Sequence, residues 1–275
     1  MNNTIEKAKK FIEEKGNSFQ KEAIDFVLAN EITSAQKEKI EKELAYYQNE
    51  DGGFANGLEI EYQGNVSSPF TTAAALSYIY FFKLKGTKLE KETLEYLKKT
   101  QKNDGCWDDD EKMLEFDLPP YMGPGIYLDY KTASVLKWLV KLGYGETDMA
   151  KKALDFLVKY FDKVSEGSDF WSAAAYISAF SEIPTHPKFP EVLKWCNEVF
   201  AQSMPPQQSD EIPWMQVQGM IYEDSPALFP IKSKILESIG KNQLPNGAWP
   251  HQFGDYNATW AAIFICRFLN SSDNL

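Results

Sequence analysis

Arginine is almost absent from this sequence. The chain has 275 residues and a single arginine, Arg267. Arginine is the side chain that pairs best with carboxylates and phosphates, so a dedicated polyanion site would be hard to build here. The net charge of −11 also repels phosphate backbones and anionic lipid. We therefore expect neither nucleic acid nor a membrane surface as a partner.

Cysteine and histidine are also scarce. The three cysteines, Cys106, Cys196 and Cys266, are far apart and do not suggest a disulfide framework. The chain begins without an apolar signal region, and its apolar stretches are too short to cross a bilayer. The sequence therefore predicts a cytoplasmic protein without a membrane span.

A seven-residue motif occurs three times, at Gln48–Phe54, Gln101–Trp107 and Gln243–Trp249. Each copy has Gln, two variable residues, Asp or Asn, Gly, one residue and an aromatic. Asp-Gly and Asn-Gly favour the left-handed conformation that ends a helix, and the glutamine can bond backbone groups there. We expect the aromatic to fill the wedge between neighbouring helical hairpins.

Helices of two kinds surround these motifs. Six amphipathic segments are predicted outer helices, near 4–14, 36–47, 89–100, 148–161, 190–202 and 231–242. Six other segments, which are more apolar, are predicted inner helices, near 20–29, 69–84, 130–142, 171–182, 214–222 and 257–269. A helix that is apolar on all sides must be buried on all sides. The alternation therefore predicts an all-α α6/α6 toroid of six helical hairpins, formed by residues 1–275 as a single domain.

The repeated motif resembles the Gln-Trp repeat of squalene-hopene cyclases. The fold that this resemblance implies is the α/α toroid of terpenoid cyclases and protein prenyltransferases. The segment Gly57–Glu59 followed by Ser67–Pro69 also resembles a group of uncharacterised bacterial toroid proteins. One fold hosts many chemistries, so the resemblance implies a ligand-processing or ligand-binding toroid and leaves the reaction open.

Long connections are predicted at one rim of this toroid. Connections from outer to inner helices are long, as at 54–68 and 107–129, and the return connections are short. Long structured loops on a rigid scaffold commonly carry function. The inner helices point their N-termini at the same rim, which favours negative charge there. We therefore expect an acidic, aromatic-lined pocket at this rim.

Acidic and aromatic residues of these connections are the candidate site. Glu59, Glu61 and Asp117 are the predicted catalytic residues, because burial among apolar neighbours would make them usable proton donors. The predicted ligand-binding residues are Tyr62, Tyr121, Trp214, His251, Asp255 and Tyr256. The run Asp108–Asp110 is expected to be solvated. The expected ligand is neutral or cationic, since an anion would meet carboxylates without an arginine to offset them.

Four functions stay open. Acid-initiated terpenoid cyclisation, as the resemblance implies, uses an Asp-x-Asp-Asp string, but the string Asp108–Glu111 ends in glutamate. Prenyl transfer would use zinc; Asp104 and Cys106 match two of the implied ligands, but Lys131 stands where the histidine is expected, so no metal or other cofactor is predicted. Paired carboxylates beside stacking aromatics would also suit cleavage of a neutral glycan. A non-catalytic binding scaffold is the fourth.

Overall fold

The computed structural model describes residues 2–29, 31–167, 169–203, 232–251 and 254–272. Regular structure in these ranges is helical, apart from an isolated β-bridge between Gln48 and Phe54. The helices are α1 (Asn2–Lys15), α2 (Ser18–Leu28), α3 (Ser34–Ala45), α4 (Pro69–Phe81), α5 (Lys88–Thr100), α6 (Leu128–Lys141), α7 (Asp148–Ser165), α8 (Phe170–Ser181), α9 (Phe189–Ser203), α10 (Lys232–Asn242) and α11 (Gly254–Ser272), with a 3-10 helix at Glu111–Glu115. The all-α prediction is confirmed.

The predicted helices within the described ranges are all present. Their ends differ from the predicted ones by a few residues, as helix ends commonly do. The predicted inner helix at 214–222 lies outside the described residues. The contrast in burial is also as predicted, since α4 is buried on nearly every side and α5 along one stripe.

The chain forms two compact units. One unit is drawn from residues 1–43 and 207–275, and the other from residues 44–206. In the first unit α11 packs against α1 and α2. In the second unit α4, α6 and α8 pack side by side, and α5, α7 and α9 each pack against one of them. The single domain over 1–275 stays a prediction.

The repeated motif has the same geometry in all three copies. Each glutamine Nε2 donates one hydrogen bond to its own motif glycine and another to a carbonyl in the first turn of a different outer helix. The two acceptors are Gly52 and Leu89 for Gln48, Gly105 and Met149 for Gln101, and Gly247 and Thr4 for Gln243, at 2.8–3.1 Å. The glutamine therefore joins one hairpin to the next, rather than only closing its own helix.

The motif aromatics are buried. Phe54, Trp107 and Trp249 are at most 1% exposed. The indole N–H of Trp107 donates to the Leu97 carbonyl at 2.8 Å, and that of Trp249 to the Ile239 carbonyl at 2.9 Å. Each carbonyl belongs to the outer helix that precedes the motif, so each tryptophan hydrogen bonds to the helix from which its own turn begins.

A substitution of the motif glycine tests this arrangement. Gly105 has φ +98°, and a Cβ there would lie 2.1 Å from the Lys152 carbonyl oxygen of α7. Gly105→Ala must therefore strain the backbone and also displace α7, and we expect a loss of about 3 kcal/mol or more in the free energy of unfolding. Urea unfolding followed by circular dichroism measures this loss.

Gly86→Ala is the matched control. Gly86 has φ +91°, but a Cβ there would meet no described atom within 4 Å. Gly86→Ala should therefore lower the free energy of unfolding only by the cost of a left-handed backbone, about 1–2 kcal/mol. Equal losses in the two variants would contradict the close approach of the motif to α7.

Candidate functional site

Two long connections of the second unit dock on each other. Residues 46–68 lead into α4, and residues 101–127 join α5 to α6. An apolar cluster lies between them. It consists of the buried residues Ala55, Tyr62, Met113 and Met122 and the partly buried residues Val66, Phe70, Phe116, Leu118 and Tyr121. This contact brings side chains from both connections to the N-terminal end of α4.

Three of the predicted site residues meet here. The hydroxyl of Tyr121 donates to a carboxylate oxygen of Glu61, which is exposed. Glu59 is half-buried, and burial, followed by the charge of Glu61, raises its pKa to about 7. A carboxyl with this pKa exists in both protonation states near neutral pH, so Glu59 can give or accept a proton.

A row of half-buried aromatic rings extends from this group. The ring centroids of Tyr121 and Phe70 are 5.3 Å apart. Phe70 stacks on Tyr130 with a centroid distance of 5.6 Å, and Tyr130 contacts Tyr127 edge-on with a centroid distance of 6.3 Å. We call these four residues the aromatic row. Tyr127 has φ +48°, which is uncommon for a residue with a side chain, and its hydroxyl donates to Asp169 at 3.2 Å.

Carboxyl groups also lie at the far end of the row. Asp169 caps the start of α8, and Asp129, in the first turn of α6, is 5% exposed. Burial raises the pKa of Asp129, the Ser172 hydroxyl opposes this, and Asp169 adds to it. Oδ2 of Asp129 has no hydrogen-bond partner among the described residues. The row therefore runs between two acidic groups.

The sequence interpretation missed two residues of this row. Phe70 and Tyr130 were not candidates, because their spacing fits ordinary inner-helix packing. Tyr127 lies on the same long connection as Tyr121, whose aromatic residues were expected to line the pocket. The available signal was the position of Phe70 and Tyr130 in the first turns of consecutive inner helices, α4 and α6. Equivalent positions on adjacent helices come side by side when the helices pack side by side.

The acidic run Asp108–Asp110 differs from the expected solvated run. Asp110 is exposed and caps the 3-10 helix, but Asp109 is only 3% exposed. Asp109 lies 2.6 Å from the Nζ of the fully buried Lys131, and it also accepts from the Ser68 hydroxyl at 2.7 Å. The expectation was wrong for Asp109 because a buried lysine compensates its charge.

Two of the predicted residues do not have the expected exposure. Asp117 is exposed while Leu118 beside it packs into the cluster, so the expected burial of this carboxylate was wrong. Tyr62 is fully buried, and its hydroxyl donates to the Val66 carbonyl at 2.9 Å and accepts from the Val66 N–H at 3.2 Å. Tyr62 therefore holds its own loop together.

The remaining predicted residues lie elsewhere. Asp255 is exposed, with a carboxylate oxygen 3.7 Å from the Nζ of Lys15, and the Tyr256 carbonyl accepts from Gln20 at 3.0 Å. Burial lowers the pKa of His251. These three predicted residues belong to the first unit, and Trp214 lies outside the described residues.

The implied zinc ligands take part in packing. Cys106 is buried, its N–H donates to Asp104 at 3.2 Å, and burial raises the pKa of its thiol to about 12. Within the described ranges, no group of three or more His, Cys, Asp or Glu side chains could hold a metal ion. Likewise, none of the described helices is long and apolar enough to cross a membrane.

Comparison with known proteins identifies the fold. No protein-family model and no curated protein matches the sequence. Among solved structures, apo type II terpene cyclase MstE from Scytonema matches with a TM-score of 0.60 and 10% identity, over 99% of this chain and 98% of that one. An aspartate-to-alanine variant of MstE with its product, merosterolic acid A, matches with a TM-score of 0.59 and 12% identity, over 100% and 97%. The chain thus has the helical toroid fold of type II terpene cyclases.

The pKa of Glu59 predicts how stability changes with pH. Its value of about 7 in the folded protein exceeds the ordinary 4.5. Between these values the folded chain keeps a proton that the unfolded chain has released, so stability falls as pH rises and the loss is complete above about pH 7. Glu59→Gln cannot ionise. It should match the parent protein near pH 4 and exceed it near pH 8 by about 2 kcal/mol, since each pKa unit is about 1.4 kcal/mol and half-burial leaves some solvent screening.

Urea unfolding at a series of pH values measures this difference. Glu61→Gln removes the second cause of the raised pKa. The free energy of unfolding of Glu61→Gln should therefore fall less with rising pH than that of the parent protein. A constant difference between Glu59→Gln and the parent across the series would show that Glu59 ionises normally.

Proposed function

We propose that this chain binds and processes a neutral or cationic, largely apolar ligand along the aromatic row, with Glu59 as the proton donor and acceptor. The observation that carries the proposal is a carboxyl with a pKa of about 7 beside a continuous row of partly accessible rings. Ring faces attract cations and also pack against apolar chains. The flanking carboxylates disfavour an anionic ligand.

An isoprenoid is the ligand class that we propose first. One MstE structure holds the substrate geranylgeranyl dihydroxybenzoate. Consecutive rings of the row are 5.3–6.3 Å apart, which suits an extended chain better than a compact ligand. In this proposal the hairpins close into a six-hairpin α6/α6 toroid, whose repeated turns correspond to Gln-Trp repeats.

Proton transfer to or from oxygen is the reaction class that Glu59 favours. General acids and bases work best with a pKa near the working pH, whereas an alkene must be protonated by a much stronger acid. Asp109, in the acidic string, is an unsuitable alternative because Lys131, Ser68 and Gly123 occupy its oxygens. We therefore propose general acid–base catalysis rather than cyclisation started at an alkene.

Cleavage of a neutral glycan is the second candidate. Glycoside hydrolases use two carboxyl groups, of which the acid has a raised pKa. Glu59 and Glu61 meet that description, and tyrosine rings can stack on sugars. A cytoplasmic location belongs to either proposal, on the basis of three free and buried cysteines.

A thermal-shift screen separates these candidates. A ligand that binds only the folded state raises the melting temperature, by an amount that grows with its concentration. We expect prenyl alcohols or prenyl amines to raise the melting temperature. In Tyr130→Ala, the apparent affinity obtained from the concentration dependence of this rise should be at least tenfold weaker. Stabilisation by neutral oligosaccharides instead would favour glycan cleavage.

Tyr160→Ala is the matched control for the screen. Tyr160 is a half-buried tyrosine on α7 that stacks on Phe156 and is not a member of the row. It should lower the melting temperature without changing the ligand response. The proposal fails if only diphosphates or uronates stabilise the protein, or if the two tyrosine variants respond alike.

A further inference from the structure

Lys131 and Asp109 form a fully buried ion pair that no proposed step uses. The side chains of both residues are 0% exposed, and Nζ lies 2.6 Å from Oδ2. Lys131 is on α6, and Asp109 belongs to the connection before it. Burying two charges is costly unless further hydrogen bonds satisfy them, so the presence of such a pair is weak evidence for a role in stability.

The hydrogen bonds of this pair close a ring around one glycine. Gly123 donates its N–H to Asp109 at 2.8 Å, and its carbonyl accepts from Lys131 at 2.8 Å. Asp109 also accepts from Ser68, the N-cap of α4, at 2.7 Å. The pair thus fastens both ends of the segment 109–123 to the starts of two inner helices.

Tyr121 lies two residues before the fastened glycine. Its ring packs on Phe70 of α4, and its hydroxyl binds Glu61, whose charge acts on Glu59. We propose that Lys131 and Asp109 are positioning residues, which hold Tyr121 so that Glu61 and the aromatic row stay beside Glu59. This inference rests on the proposed function, because it assigns the ion pair to the same site.

The direction of one change distinguishes positioning from a direct effect of charge. The pKa of Glu59 is raised by burial and by Glu61, and Tyr121 is the titratable group that faces it from the other connection. Loss of a cation alone can only raise the pKa of a nearby carboxyl. Loss of positioning would expose Glu59 to solvent and separate it from Glu61, so the pKa would fall.

The test is the pKa of Glu59 in Lys131→Met, measured without ligand. The carboxyl ¹³C shift of Glu59, assigned by its absence in Glu59→Gln, is followed against pH. We expect the midpoint to be near 7 in the parent protein and to fall by at least one pH unit in Lys131→Met. Ser68→Ala keeps the ion pair but removes one of its hydrogen bonds, and it should give a smaller fall even if Lys131→Met does not fold.

Lys137→Met is the matched control. Lys137 is another buried lysine of α6, with Nζ 4.4 Å from the centroid of the Trp138 ring. Its loss should destabilise the protein but leave the Glu59 midpoint unchanged. A midpoint that is unchanged or raised in Lys131→Met and unchanged in Ser68→Ala would overturn the positioning role. A midpoint near 4.5 in the parent protein would instead overturn the proposed role of Glu59.

Discussion

Each copy of the motif packs against the backbone of a neighbouring outer helix, and the placement of the long connections follows from this contact. At Gly105 the turn lies so close to the backbone of α7 that no side chain fits, and Gln101 bonds the same helix at its first turn. The same contact recurs at Gly52 and Gly247. Because each long connection begins at such a turn, the turns determine where the functional side chains start.

Environment, rather than residue type, divides the carboxyl groups of the second unit. Asp109 is buried, yet it meets a lysine, a hydroxyl and a backbone N–H, so its charge is compensated. For Glu59, burial and then the charge of Glu61 raise the pKa to about 7. The first arrangement is suited to holding a loop in place, and the second to moving a proton.

The sequence was sufficient for the helices and for the repeated turn, because both depend on local periodicity and on Asp-Gly or Asn-Gly chemistry. It was insufficient for Asp109 and Lys131, since 22 residues separate them and nothing local indicates that they pair. It also misjudged Asp117, because an apolar neighbour such as Leu118 can pack while the adjacent carboxylate stays exposed. The predicted contact of Glu59 and Glu61 with an aromatic residue depended on how the two long connections pack on each other. The motif determines where each connection starts but not how it is oriented.

The proposed function requires that the ligand binds along the aromatic row. Photo-crosslinking with a prenyl alcohol that carries a diazirine, followed by peptide mapping, tests it directly. We expect labelling within residues 59–70 and 121–130, which is lost when excess unlabelled prenyl alcohol competes. Competed labelling confined to outer-helix segments such as 148–165, with none in those two ranges, would contradict binding along the row.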